Sequence, residues 1–319
     1  MANFDVVTCG ELLIDFVALE TGVRLVDAHD FEKAAGGAPA NVAVGLARLG
    51  HKVGFLGQVG EDDFGDFLAG TLQANRVDTT GLRRCREART ALAFVSLKAD
   101  GERDFMFYRH PSADMLWRAD DHDLALSTAS RVFHFGSISL ISEPSRSSTI
   151  AAVEAARASG ALISYDPNLR VPLWPSLDAA REGLRFGLAH ANIVKMSLEE
   201  LAFLSGVDDV ERGARRLWHD QLRLLTITSG IAGCTWFTLD GSGSIESFPV
   251  TSIDTTGAGD AFVAGVLAGL IEADFRFEPD ALQPVMRLAN AAGALTVTKR
   301  GAIPALPTRA EVEAFLSEN

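Results

Sequence analysis

Hydrophobic and polar positions change period several times along the chain, and the changes mark its elements. Phe4–Cys9 is apolar and β-branched, the pattern of a buried strand, and Gly10 ends it. Glu11–Leu19 continues as an extended segment with Asp15 inside it. Val23–Ala35 mixes polar and apolar positions and leads into Gly36-Gly37. A helix is predicted from Pro39, a residue suited to the first helical position. Val42, Leu46 and Leu49 give it one apolar stripe, and Gly50 stops it. Lys52–Val59 reads as a strand and Asp62–Asn75 as a second helix.

The period then shortens. Thr90–Leu97 and Arg103–Tyr108 are β-rich runs around Ala99-Asp100-Gly101-Glu102, and Asp-Gly between such runs predicts a hairpin. After Pro111 strands and helices alternate. Strands are predicted at Arg131–Phe135, Leu162–Tyr165, Ile193–Met196 and Leu222–Thr228. Helices are predicted at Pro144–Ser159, Ala179–Ala189, Leu198–Leu204 and Arg212–His219. Cys234–Leu239 and Gly243–Phe248 read as another hairpin. Gly259–Glu272, Leu282–Thr298 and a short segment near Arg309–Leu316 read as closing helices. The alternation predicts an α/β fold: a Rossmann-like, parallel-dominated sheet sandwiched by helices. Segments 11–35 and 89–110 interrupt it and read as a small β-sheet lid within one domain spanning 1–319.

Composition narrows the class. The chain has 319 residues, 47% hydrophobic and 22% charged, which suits an ordinary globular core. A net charge of −13 repels phosphate backbones and argues against a nucleic-acid partner, although local amides can still hold a small nucleotide. Cys9, Cys85 and Cys234 lie far apart with no CxxC pair, as expected of buried free thiols in a reducing cytoplasm. No signal peptide is visible at the start, and no run reaches the ~18 apolar residues of a membrane span.

Several runs carry chemistry. Asp254-Thr255-Thr256-Gly257-Ala258-Gly259-Asp260 precedes a helical apolar pattern at Phe262, Val263, Val266 and Leu267. The glycines therefore fall at a helix N-terminus, where free amides and the helix dipole make an anion hole. A carboxylate beside that hole is placed to take a hydroxyl proton during phosphoryl transfer. The plainer reading makes Asp260 a first-turn helix acid and the glycines a tight turn. In Gly36-Gly37-Ala38-Pro39-Ala40-Asn41, two glycines let a ligand approach the backbone, and Asn41 can bond sugar hydroxyls or simply cap its helix. Asp15 either accepts from sugar hydroxyls or faces water from an edge strand. Arg109 and Arg170 could reach a phosphate or sugar oxygen, or be ordinary surface arginines. In Lys195-Met196-Ser197-Leu198-Glu199-Glu200, Ser197 and Glu200 fit a capping box, and Glu200 also fits a Mg²⁺ site bridged by water.

Other matches fail. Asp63-Phe64-Gly65 lacks the remaining protein-kinase motifs. There is no Walker A loop, no GxGxxG after the first strand and no HExxH among the seven histidines.

The Gly36–Asn41 and Asp254–Asp260 runs resemble the two signatures of the ribokinase-like (PfkB) carbohydrate kinases. The resemblance covers nearly the whole chain. Within the family it is strongest to fructokinases, plant ones included, through Gly10–Asp15, Gly37–Gly50, Arg89–Leu97, Phe105–Met115, His134–Ile141 and Tyr165–Pro175. It implies transfer from MgATP to the 6-hydroxyl of D-fructose, with Asp260 as base and Gly257, Ala258 and Gly259 as anion hole. It implies sugar contacts at Asp15, Gly36, Gly37 and Asn41, with Arg109 and Arg170 as additions. It implies ATP contacts at Lys195, Ser197, Thr228, Gly230, Gly233, Gly257, Gly259 and Asn290, near Gly301-Ala302, with Mg²⁺ at Glu200 through water. Many members carry Asn where this chain has Ser197, and fructokinases often carry Ser. A K⁺ ion near the anion hole occurs in relatives. A keto-deoxygluconate kinase, a silent sugar-binding regulator and, more distantly, a Rossmann dehydrogenase are the rival readings. Exposed lid edges suggest a homodimer through the lid.

Overall fold

A computed structural model of the chain describes residues 3–98 and 103–319. The expected turn at Ala99–Glu102 lies outside the described residues. β1 (Phe4–Cys9) is an interior strand of the main sheet, its valines covered from both faces. β2 (Leu13–Gly22) and β3 (Phe31–Gly36) leave that sheet and pair antiparallel. The chain returns through α1 (Ala38–Arg48), β4 (Val53–Gly60), α2 (Asp63–Ala74) and β5 (Leu82–Cys85). β6 (Leu92–Lys98) and β7 (Arg103–Tyr108) make a second excursion.

The regular alternation follows: α3 (Asp121–Thr128), β8 (Ser130–Gly136), α4 (Ser145–Ala158), β9 (Leu162–Asp166), α5 (Leu177–His190), β10 (Ile193–Ser197), α6 (Leu198–Ser205), α7 (Val210–Leu217) and β11 (Leu224–Thr228). The hairpin β12 (Cys234–Phe237) and β13 (Ser242–Ile245) precedes α8 (Ala258–Glu272), α9 (Pro279–Thr296) and α10 (Arg309–Glu318).

Among the described residues the main sheet has nine strands in the order β13-β12-β11-β10-β9-β8-β1-β4-β5. β5 through β11 in that order run parallel, and the hairpin adds two antiparallel strands at one edge. Helices cover both faces: α1, α2, α8, α9 and α10 on one core, α4 to α7 on the other. In an open parallel sheet, ligands bind beyond the carboxyl ends of the strands. That edge here carries Asp166 ending β9, Ser197 ending β10 and Thr228 ending β11.

The second sheet has the order β3-β2-β6-β7, with β2 and β6 parallel at its centre. Alternation gives it two faces. One carries Phe16, Phe31, Phe94 and Tyr108, with ring centroids 5.0–5.6 Å apart from Phe94. The other carries Leu13, Ala93 and Phe107, packed together, and Asp15 in register with Ala93.

Two elements escape the sequence reading. β5 contains two adjacent arginines, and α3 has no apolar stripe. Charge holds both. Asp120 and Asp123 close a reciprocal capping box at the start of α3, and Arg83 of β5 bonds Asp123 at 2.8 Å and Asp120 at 2.5 Å. The three cysteines are free and buried. Among the described residues no helix is long and apolar enough to cross a membrane.

Candidate active site

The Asp254–Asp260 run forms the start of α8. Gly257 is the N-cap at φ 79°, a left-handed conformation that favours glycine, and a Cβ there would lie 3.0 Å from the Cα of Ala302. Asp254 pins the turn: one carboxylate oxygen accepts from the amide and hydroxyl of Thr256 at 2.9 and 2.6 Å, the other from the Gly301 amide at 2.9 Å. The amides of Gly259 and Asp260 fall in the first turn, where a helix offers no internal acceptor. The Ala258 amide turns back to the Thr255 carbonyl at 3.3 Å.

Asp260 is half-buried and points at the start of α1. The Asn41 side-chain amide donates to its Oδ2 at 2.7 Å. Burial pushes the Asp260 carboxyl up to about 6; Asn41 lowers it, Asp166 raises it, and Lys195 and Arg170 lower it. Asn41 is 5% exposed, and its Oδ1 bonds nothing among the described residues. Gly37, at φ 107°, opens the same helix, and a Cβ there would meet the Glu11 carbonyl at 2.4 Å. Gly36 lies against the Asp15 carboxylate, which a Cβ would approach to 2.0 Å.

Across from α8, Lys195 reaches between carboxylates. Its ammonium lies 3.1 Å from Asp166 Oδ2, and a Cβ on Gly259 would sit 3.0 Å from it. Burial works against its charge, but Asp166, Glu200 and Asp260 outweigh that and raise its pKa. The capping box expected at α6 is present: Glu200 accepts from the Ser197 amide at 2.8 Å, and Ser197 Oγ accepts from the Glu200 amide at 3.2 Å. The other Glu200 oxygen accepts from the Leu169 amide at 2.8 Å. Each oxygen thus accepts one hydrogen bond and keeps a lone pair that a metal-bound water could use. Arg170 lies with its guanidinium 5.6 Å from the ring centre of Phe105 on β7, a contact between the loop after β9 and the second sheet.

Two cavities meet at Thr255 and Gly259. The first, about 240 Å³, is mostly apolar and is lined by Phe248, Phe262 and Val297 together with Thr228, Gly230, Gly233 and Asn290. Ala258 also lines it. Gly233, at φ 90°, passes so close to β13 that a Cβ would fall 2.0 Å from the Ile245 carbonyl. The second cavity, about 490 Å³, is lined by Asp166, Arg170, Lys195, Ser197, Glu200 and Asp260. One wall suits an aromatic base; the other suits phosphates and a divalent ion.

Arg109 follows β7 and is buried. It is 4% exposed, and its guanidinium is paired with Asp114, which also accepts from Ser112 Oγ at 2.6 Å. Asp166 and Thr255 were not among the sequence-derived candidates. Asp166 heads the Asp166–Arg170 run, but its pairing with Lys195 joins two strands and leaves no trace at any fixed spacing.

The sequence pattern of the "pfkB family carbohydrate kinase" matches residues 3–309. The chain is 51% identical to "Probable fructokinase-4" of Arabidopsis thaliana over 316 residues, covering 98% of this chain and 97% of that protein. The chain belongs to the pfkB family of carbohydrate kinases. Other members of this pfkB family match as structures. A Xylella fastidiosa fructokinase with bound ATP superposes with TM-score 0.89 at 38% identity, covering 98% of each chain. A doubly substituted Vibrio cholerae O395 fructokinase, in a form with fructose, ADP and potassium ion, gives 0.89 at 35% identity over 99% of each. The fold of this pfkB kinase is that of its relatives: a mostly parallel sheet between helices, with a second, smaller sheet.

Proposed function

We propose that this pfkB kinase transfers the γ-phosphoryl group of MgATP to the 6-hydroxyl of D-fructose. The observation that carries the reading is the place of Asp260. It is held by Asn41 at 2.7 Å and stands at the first turn of α8, where the apolar and charged cavities meet. The fructose assignment rests on full-length similarity to proteins named fructokinase.

In this reading the apolar cavity takes the adenine, and the phosphates lie toward Gly257–Gly259 and Lys195. Fructose lies between Asp15, Gly36, Gly37 and Asn41, with Arg170 above. Asp260 accepts the O6 proton as O6 attacks the γ-phosphorus; the bond from that phosphorus to the bridging oxygen breaks, and ADP leaves. The amides of the α8 start and the Lys195 ammonium meet the charge on the transferring oxygens. Mg²⁺ bound to ATP would neutralise phosphate charge, with Glu200 reaching it through water. The second sheet serves as a lid that keeps water from competing with O6. Potassium is a candidate activator because the Vibrio relative holds it.

One assay tests the core of this. ADP release should be fast with fructose and slow with keto-deoxygluconate, ribose or adenosine. Asp260→Ala should lose on the order of 10²–10⁴ in kcat while still binding fructose. Turnover within tenfold of wild type would remove Asp260 as the base. Omitting KCl from the same assay decides the potassium question.

We further place a second copy of the chain against the outer face of the lid, where Met106 is 43% and Tyr108 56% exposed beside the Phe16–Phe94 stack. Met106→Glu with Tyr108→Glu should shift a sedimenting dimer to monomer; a wild-type chain that sediments as a monomer rejects the placement. A reducing, cytoplasmic setting fits the three free thiols.

A further inference from the structure

We propose that Glu11 is a positioning residue for the transfer step: it caps α1 from across the junction of the two sheets and thereby fixes the Asn41 amide on Asp260. The proposal rests on the reading of Asp260 as base.

The N-cap of α1 is Gly37, which has no side chain to offer the first-turn amides. The Ala38 amide is instead taken by Glu11 Oε1 at 3.0 Å, from 27 positions earlier in the chain. Glu11 is 3% exposed, and its Oε2 bonds nothing among the described residues. A buried carboxylate with one oxygen unmet is a costly cap where a serine at residue 37 would serve a merely structural helix start. The close pass of Gly37 over the Glu11 carbonyl excludes that serine, because its Cβ would fall 2.4 Å from the oxygen. The same turn holds Asn41, whose amide donates to the Gly37 carbonyl at 2.9 Å and whose side chain reaches Asp260 at 2.7 Å.

Glu11 also stands where the chain leaves β1 for β2. Arg109, which follows β7, and Asp114 act on it electrostatically in opposite senses. Burial pushes its carboxyl up to about 7.

Glu11→Ala, Glu11→Gln, Asn41→Ala and the Glu11→Ala/Asn41→Ala double variant of the full chain are compared for kcat, both KM values, pH profile and Tm. Glu11→Ala should lose on the order of 10²-fold in kcat, as a misplaced reacting group does. Its acid limb should move to higher pH, because the Asn41 bond that lowers the Asp260 pKa is loosened. KM for ATP should hold. Glu11→Gln keeps an oxygen for Ala38 and should keep most of the turnover. The double variant should be no slower than Asn41→Ala. A Glu11→Ala enzyme with wild-type kcat and acid limb but a lower Tm overturns the proposal, and so do losses that multiply in the double variant. Where Glu11→Ala does not fold, Glu11→Asp, one methylene short of Ala38, takes its place with the same expectations. Asp260→Ala in the same series separates the two ideas: activity there sinks the base, whereas loss there beside an unaffected Glu11→Ala sinks only Glu11.

Discussion

At the residue scale, burial and hydrogen bonding pull Asp260 in opposite directions, and burial wins. Its carboxyl rises from the ordinary 3.8 to about 6. Two pH effects follow with opposite signs. A base works deprotonated, so kcat should fall as pH drops through about 6. Asn41→Ala should move that limb upward, since it removes the largest influence that lowers the value. Stability runs the other way. The folded state holds the proton more tightly than the unfolded chain, so this contribution is full below 3.8 and lost as pH rises through about 6. Asp260→Asn should therefore gain in Tm relative to wild type as pH is raised across that window. A constant difference in Tm would contradict the assignment of the shifted carboxyl.

At the scale of elements, α8 shows why small residues recur in the sequence after Asp260. Gly265 faces α9, where a Cβ would lie 2.6 Å from the Ala289 Cα, and Gly45 of α1 faces Ala264, where a Cβ added at Gly45 would lie 2.8 Å from the Ala264 Cβ. The second approach sets Asp260, the proposed base at the head of α8, against Asn41, at the head of α1. Gly265→Val should cost about 1–3 kcal/mol or more in urea unfolding, because the atom it meets is backbone. Gly70 on α2 is the control: a Cβ there meets nothing within 4 Å, so Gly70→Ala should gain about 0.5–1 kcal/mol. A Gly265 variant as stable as wild type would mean that the two helices can separate freely.

At the scale of the whole molecule, the second sheet touches the loop after β9 through Phe105 and Arg170, a contact that a lid in the proposed reaction would use. Phe105→Ala should raise ATP hydrolysis relative to sugar phosphorylation, measured as ADP formed per sugar phosphate; an unchanged ratio would leave the contact without a role in excluding water. The strand–helix alternation, the glycine-rich helix starts and the Ser197–Glu200 capping box were legible from residues alone. Each depends on neighbours a few positions apart, where backbone geometry and period are set by local chemistry. β5 and α3 were not, because Arg83 bonds Asp120 and Asp123 across nearly forty positions and neither element has an apolar pattern of its own. The same limit applies to the site. Sequence by itself determined that Asp260 stands at a helix start and that Asn41 stands in another first turn. Only the tertiary structure decided that these two meet, that Lys195 pairs with Asp166 beside Gly259, and that Arg109 pairs with Asp114. Distances between strands and helices are fixed by how faces pack, and packing has no period along the chain.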